Sequence, residues 1–263
     1  MDLPIWQVLI LAVVQGVSEF LPISSSGHIV IIAALLASDS ESKFDVTDLN
    51  IILHLGTLGS IVIVYFKRIL GLLREDRHLI GLLAVATIPA IAIGLPLKAF
   101  GKDLLTNPLL AGFMLIVTGV VLIATTFMQK QSNDSSPISY KKALIIGFAQ
   151  GVAILPGLSR SGFTIAAAMA QRIEPKTAAT FSFLMAIPVI AGGGLLEIVD
   201  LLSDATATTA VSSLILGGVV SLVVGVFSLL WLLRWLERGR FYWFAYWCIP
   251  MGIAVIVWQT VWQ

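Results

Sequence analysis

Gln15-Gly-Val-Ser-Glu-Phe-Leu-Pro-Ile-Ser-Ser-Ser-Gly27 and Gln150-Gly-Val-Ala-Ile-Leu-Pro-Gly-Leu-Ser-Arg-Ser-Gly162 decide how this chain is read. The two stretches align without a gap at a constant offset of 135, with six of thirteen positions identical. Each lies inside an apolar segment and interrupts it with proline, serine and glycine, residues that end one helix and cap the next. The copies differ in charge. The first carries Glu19 and, one residue beyond the repeat, His28; the second places Arg160 opposite Ser25. A duplicated polar break whose halves supply a carboxylate, an imidazole and a guanidinium points to one composite site for a phosphorylated ligand.

Outward from these motifs the chain is apolar. Hydrophobic residues make up 58% and charged residues only 12%, and mean hydropathy is positive, far from the soluble globular average. The fold class this implies is an all-α polytopic membrane protein. Apolar runs at about 49–66, 79–97, 107–127, 176–198, 211–233 and 241–262 each approach the roughly 20 residues a helix needs to cross the hydrocarbon core. Residues 4–36 and 142–171, around the motifs, have arms too short to cross comfortably. They read as two re-entrant helical hairpins, since broken backbone at membrane depth is tolerated only where protein or a wet cavity surrounds it.

Adding 135 to the first three spans gives 184–201, 214–232 and 242–262, so the motif offset also places the second-half helices. The expectation is one integral-membrane domain of two repeats: 1–128, a hairpin plus three spans; a cytoplasmic linker, 129–141; and 142–263. Three spans is an odd number, so the second copy is inverted, as in many transporters. The polar tips of the two hairpins then meet near mid-membrane.

Loop charge sets the orientation. If the first hairpin opens on side one, Lys67, Arg68, Arg74, Arg77, Lys130, Lys141, Lys142, Arg172, Lys176, Arg234, Arg238 and Arg240 fall on side two, against Lys43, Lys98 and Lys102 on side one. Twelve against three makes side two cytoplasmic. Both termini and the first hairpin then face the extracytoplasmic side. Trp243, Trp247, Trp258 and Trp262 are expected as interfacial anchors of the last span. The net charge of +1 gives no sign of a nucleic-acid partner. Asp2 stands where a signal peptide would have a basic region, so no cleaved leader is expected. The single cysteine, Cys248, reads as packing in a span.

Ser24, Ser25, Ser26 and Gly27 follow Pro22 and precede an apolar helix, which puts them at the N-cap and first turn of the second arm. Ser159, Arg160, Ser161 and Gly162 do the same in the other half. Helix N-termini offer unpaired N–H groups and a positive dipole end, so two of them meeting form a cradle for phosphate. Ser24 or Ser159 alone need do no more than cap a helix; the adjoining charges favour substrate binding. Arginine at membrane depth costs about 2.5–3.5 kcal/mol on insertion scales, so Arg160 requires a partner or a cavity. It is read as a structural pair with Glu19 or as a fork of donors that grips phosphate oxygens. Thr164, one turn on, adds a hydroxyl on the same face.

Gln15 and Glu19 are spaced i, i+4 and share a face, as do Ser25 and His28 at i, i+3. A serine oxygen, an imidazole within one turn, a carboxylate on the facing arm and an arginine from the other repeat are the parts of a phosphate-ester hydrolase using a nucleophile or an activated water. Glu19 and Gln15 are also oxygen ligands suited to one divalent cation, Mg²⁺ or Ca²⁺, whose shell the substrate phosphates would complete. His54, inside a span, reads as a buried hydrogen-bonding residue or a group supporting the site from behind, and His78 as the start of a cytoplasmic helix end.

These residues resemble the bacterial undecaprenyl pyrophosphate phosphatases of the bacitracin-resistance type. That family's signatures are a Glu/Gln-x-x-x-Glu stretch leading into Phe-Leu-Pro-x-Ser-Ser-x-Gly-His, here Gln15 to His28, and Pro-Gly-x-Ser-Arg-Ser-x-x-Thr, here Pro156 to Thr164. Both are complete, and the order of segments matches from end to end. The resemblance implies hydrolysis of undecaprenyl pyrophosphate to undecaprenyl phosphate and inorganic phosphate in the bacterial inner membrane, recycling the lipid carrier of cell-wall synthesis and lowering bacitracin sensitivity. By motif position it implies Ser25 as nucleophile, His28 as acid/base partner, Glu19 as a metal-binding or positioning carboxylate and Arg160 as phosphate clamp, with dependence on Mg²⁺ or Ca²⁺. The first acidic position is the neutral Gln15 here, so a metal would depend more on Glu19 and the substrate. A homodimer is compatible with this reading. The rival class is a carrier, a polyprenyl-phosphate flippase or anion transporter using the same inverted-repeat cavity; a nucleophile beside an acid/base pair favours the hydrolase.

Overall fold

A computed structural model describes residues 4–38, 47–74, 76–129, 137–203 and 211–261. Helices α1 (Ile5–Ser18) and α2 (Ser25–Ser38) flank the first motif, followed by α3 (Thr47–Val64), α4 (Phe66–Arg74), α5 (Arg77–Phe100), the short α6 (Lys102–Leu105) and α7 (Pro108–Gln129). Helices α8 (Tyr140–Val152) and α9 (Arg160–Ala170) flank the second motif, followed by α10 (Pro175–Ser203), α11 (Val211–Glu237), a 3₁₀ turn (Phe241–Phe244) and α12 (Ala245–Val261). No strand occurs among the described residues. Five helices are long and apolar enough to cross a membrane, and α3 and α4 count as a sixth only if the bent pair is taken as one span. The chain is a multi-pass membrane protein; of the six spans read from hydropathy, those at α5, α7, α10, α11 and α12 meet this test, and that at α3 meets it only together with α4. Trp262 and the linker residues Lys130 and 131–136 lie outside the described residues.

The helices beside the motifs are short for a physical reason. Helix α1 has 14 residues, about 21 Å at 1.5 Å per residue, against a hydrocarbon core of about 30 Å. It ends where Pro22 removes a backbone donor. The next helix starts from Ser24, whose φ of 70° lies in the left-handed region, sparsely used by residues with a Cβ. In the second motif Gly157 takes the same kind of conformation, with φ of 91°, and Ser159 caps α9 by accepting from the Gly162 amide at 3.1 Å.

Packing between the halves follows the offset. Adding 135 carries α1, α2, α3, α5 and α7 onto α8, α9, α10, α11 and α12. Helix α1 packs on α11 while its counterpart α8 packs on α5; α3 packs on α11 while α10 packs on α5; and α7 pairs with α12. The main core lies between these layers. Phe20 stands 5.7 Å from Phe183, ring centre to ring centre, and Tyr65 stacks on Phe183 at 6.3 Å.

One region differs from the expectation of a loop after the first span. The chain bends by 77° at Tyr65 and continues as α4, carrying Lys67, Arg68 and Arg74 on a helix. Its sequence alternates with helical period: Leu72 is buried and Ile69 packs against the core, while Lys67 and Arg68 stay exposed. An amphipathic stretch this short is helical because the core takes up its apolar face.

Gly157 is the position where a side chain fits least. A Cβ there would stand 2.8 Å from Met114 Cβ and closer still to the Ala111 carbonyl oxygen, at a positive φ. Gly157→Ala is expected to destabilise the protein by about 2–4 kcal/mol, from left-handed strain plus overpacking. Gly193→Ala, with nothing within 4 Å, should leave the thermal unfolding midpoint in detergent unchanged. Equal midpoints for the two variants would contradict this account of the turn.

Candidate active site at the junction of the two helix breaks

The two breaks are in direct contact. Ser24 Oγ accepts hydrogen bonds from the Gly27 amide of its own turn at 3.2 Å and from the Gly157 amide of the other at 3.1 Å. In return Ser161 Oγ donates to the Phe20 carbonyl at 3.0 Å. A Cβ on Gly27 would lie 2.8 Å from the Gly157 backbone, so glycine permits the approach. Each break is also held by a span. Thr118 of α7 donates to the Gly157 carbonyl at 2.9 Å and accepts from the Ser159 amide at 3.1 Å. Cys248 of α12 donates to the Pro22 carbonyl at 3.4 Å. Pro22 and Gly157 are equivalent positions under the 135 offset.

Glu19 is the centre of this junction. Its carboxylate is buried and accepts at Oε2 from Ser25 Oγ at 2.8 Å and from Gln15 Nε2 at 3.2 Å. Oε1 takes the guanidinium of Arg160 through Nη2. His54 Nε2 stands 3.8 Å from Oε2, its ring aimed by Nδ1, which donates to the Asn50 carbonyl at 2.8 Å. Two polar atoms are left over. Gln15 Oε1 and Arg160 Nη1 are buried without a hydrogen-bond partner, and such groups are costly unless something else answers them.

The structure therefore brings Gln15, Glu19, Ser25 and Arg160 together, and adds His54. Other expected site residues serve the architecture. Ser24 and Ser161 bridge the breaks, Ser159 caps α9, and Ser26 Oγ lies 3.4 Å from Ser24 Oγ. Thr164 donates to the Arg160 carbonyl at 2.7 Å and takes a hydrogen bond from Ser182 at 2.5 Å, so it fixes the start of α9 behind Arg160.

His28 is not hydrogen-bonded to Ser25. Its Nδ1 donates to the Ser24 carbonyl at 2.7 Å, and its Nε2 accepts from Trp247 Nε1 at 3.0 Å. The reading of Trp247 as an interfacial anchor is thus incomplete: the ring is half exposed, but its N–H points inward. The sequence signal for His54 is a polar residue inside a span. For Trp247 there is none, because it lies among other aromatics at the end of an apolar run.

Chemically, the N-termini of α2 and α9 converge on a buried carboxylate, a hydroxyl and a guanidinium with one free edge, an arrangement suited to an anion. Fold and site together define a multi-pass helical membrane protein with a buried polar centre at the junction of two helix breaks. Residues 8–254 match the family model described as bacitracin resistance protein BacA, and the chain belongs to that family. It is similar to the undecaprenyl-diphosphatase of Rhodopirellula baltica, 47% identical over 95% of this chain and 96% of that protein. The undecaprenyl-diphosphatase of Desulfatibacillum aliphaticivorans is 36% identical over 95% and 97%, and that of Halothermothrix orenii 37% over 96% and 97%.

The Glu19–Arg160 pair gives a stability test. Removing one charge strands the other in a buried site, which typically costs about 3–5 kcal/mol, whereas replacing both with apolar groups is often neutral. Glu19→Leu is therefore expected to lower the unfolding midpoint in detergent sharply, and Glu19→Leu with Arg160→Met to regain most of it. A double variant no more stable than the single one would mean that the pair does not hold the two breaks together.

Proposed function

We propose that the chain hydrolyses undecaprenyl pyrophosphate to undecaprenyl phosphate and inorganic phosphate, recycling the lipid carrier of cell-wall synthesis and thereby conferring bacitracin resistance. Membership of the BacA family and the undecaprenyl-diphosphatase relatives support the activity. The observation that carries the chemistry is the 2.8 Å hydrogen bond from Ser25 Oγ to Glu19 Oε2 beside an arginine whose Nη1 has no partner. The undecaprenyl-diphosphatase relatives do not favour the transporter reading.

In the proposed reaction the isoprenoid tail stays in lipid and the pyrophosphate enters between the breaks. Arg160 Nη1 and the N-termini of α2 and α9 bind its oxygens and the charge that develops on them. Ser25 Oγ attacks the terminal phosphorus, its proton passing to Glu19, while the bond to the bridging oxygen breaks and undecaprenyl phosphate leaves. Water then cleaves the phosphoserine to give inorganic phosphate and restore Ser25. Glu19 serves as the base because it is the group Ser25 reaches. The acid/base role expected of His28 would require its Nε2 to leave Trp247.

Gln15 Oε1, buried and unpartnered, and the Glu19 carboxylate are the groups that would hold Mg²⁺ or Ca²⁺; with an ion on Oε2, which accepts from Ser25 and Gln15, Glu19 would position the ion and no longer take the Ser25 proton. Among the described residues no three His, Cys, Asp or Glu side chains form a metal cluster, so substrate oxygens would complete the shell. Such an ion would neutralise phosphate charge.

Architecture and placement complete the proposal. Arms of 14 and 13 residues in α1 and α8, broken at Pro22 and Gly157, support two re-entrant hairpins. Three spans per half support an inverted repeat, 1–128 against 142–263, with the breaks meeting at membrane depth. The lysine and arginine bias supports both termini and the opening of the site on the extracytoplasmic face of the bacterial inner membrane. All the named groups come from one chain, so a homodimer would leave the site intact.

The test is phosphate release from a polyprenyl pyrophosphate by purified protein in detergent, with and without Mg²⁺ or Ca²⁺. Ser25→Ala should abolish release and any trapped phosphoserine. Arg160→Ala should lower kcat by about 10²–10³, the usual effect of removing a donor aimed at transition-state charge. Full release by Ser25→Ala would remove serine in favour of an activated water. No release under any metal condition, alongside movement of labelled lipid across vesicles, would sink the enzyme reading.

A further inference from the structure

The side chain of Trp247 is 219 positions from His28 and on another helix, yet it aims its one polar atom at the histidine. Indole Nε1–H donates to His28 Nε2 at 3.0 Å, and the two rings lie nearly parallel, 14° apart with centres at 6.1 Å. Burial does not account for the placement, because Trp247 is 52% exposed whereas His28 is 7% exposed. A donor on Nε2 leaves one neutral form for the ring, the one with its proton on Nδ1. That proton goes to the Ser24 carbonyl at 2.7 Å. Ser24 is the residue held at φ of 70°, a conformation that persists only where its surroundings over-determine it. Its Oγ takes the amides of Gly27 and Gly157, and the next residue is Ser25, whose hydroxyl meets Glu19. Cys248, adjacent to Trp247, grips the Pro22 carbonyl of the same turn.

We propose that Trp247 is a positioning residue of the active site: through His28 it pins the strained Ser24 turn, and so aims the Ser25 hydroxyl at the reacting phosphorus. Tryptophan is suited to this because indole N–H donates and cannot accept, so it fixes the tautomer of its partner. Phenylalanine would keep a flat aromatic ring and lose the donor. The kinetic part of the proposal rests on the hydrolase reading; the tautomer part does not.

The experiment combines ¹⁵N NMR of histidine-labelled protein in detergent, phosphate release and thermal unfolding, for the parent and for Trp247→Phe. With three histidines in the chain, His28 is assigned by the signal that disappears in His28→Gln. In the parent, His28 is expected as a single neutral form protonated at Nδ1. In Trp247→Phe the Nε2 resonance moves to that of an imidazole nitrogen with no donor, while Nδ1 keeps its proton on the Ser24 carbonyl; kcat falls about fivefold to tenfold, the usual size of one lost orienting hydrogen bond, and KM stays within about twofold. The unfolding midpoint stays near the parent value, and Trp231→Phe, at another exposed tryptophan, changes none of these. A parent His28 protonated at Nε2 overturns the proposal even if the variant fails to fold. So does a Trp247→Phe protein with an unchanged His28 spectrum, or one whose kcat falls only in step with its stability. A parent that releases no phosphate but shows the expected tautomer, with the Nε2 shift in the variant, refutes the hydrolase reading while upholding the strut.

Discussion

Interrupting a helix inside an apolar core strands backbone amides and carbonyls, and each costs several kcal/mol if nothing answers it. This chain does so twice, and the two interruptions largely answer each other. The Gly157 amide finds Ser24 Oγ, the Phe20 carbonyl finds Ser161, and Thr118 takes both a carbonyl and an amide of the second turn. Neither turn would be satisfied alone. The meeting of the breaks is thus a requirement of backbone hydrogen bonding before it is a feature of chemistry, and it concentrates polar groups at one point of an otherwise apolar bundle.

Symmetric satisfaction of the backbone leaves the side chains free to diverge. At equivalent positions one half has Glu19 and Ser25, the other Ile154 and Arg160. Two carboxylates would repel at this distance, and two guanidiniums would be harder still to bury. One of each forms an ion pair that carries both breaks, with Arg160 Nη2 and Ser25 Oγ occupying different oxygens of the same carboxylate. The pair does not use all of the arginine. Nη1 has no partner, and an anion arriving there would be met by a donor whose desolvation has already been offset by Glu19.

What can be read from the sequence depends on how local its cause is. The spans α5, α7, α10, α11 and α12 follow from hydropathy along the chain, and the breaks from proline, serine and glycine within it. The offset of 135 extends this to the pairing of Glu19 with Arg160, because a repeat carries long-range information in a local pattern. Where no repeat helps, proximity stays hidden. His54 has the apolar Val189 as its counterpart and Trp247 has Gly112, so neither residue announces its partner across 35 or 219 positions. Helix α4 is illegible for a different reason: basic residues mark a loop on average, while its helicity depends on Leu72 and Ile69 meeting the core.

Small residues at the helix crossings complete the logic of the site. Helices α3 and α11 exchange reciprocal hydrogen bonds, Ser60 Oγ to the Leu222 carbonyl at 2.8 Å and Ser221 Oγ to the Leu53 carbonyl at 2.9 Å. In an apolar medium close packing and such polar contacts hold helices together, since lipid tails are as apolar as leucine. Leu53 and Ser60 flank His54 on α3, and α1, which leads into Glu19, also packs on α11. The approach that brings His54 within 3.8 Å of Glu19 is therefore set by serines that touch neither residue. A bulky side chain at Ser221 would move the imidazole away from the carboxylate without altering any group of the site itself, so the precision of the polar centre is a property of the surrounding helix crossings as much as of its own residues.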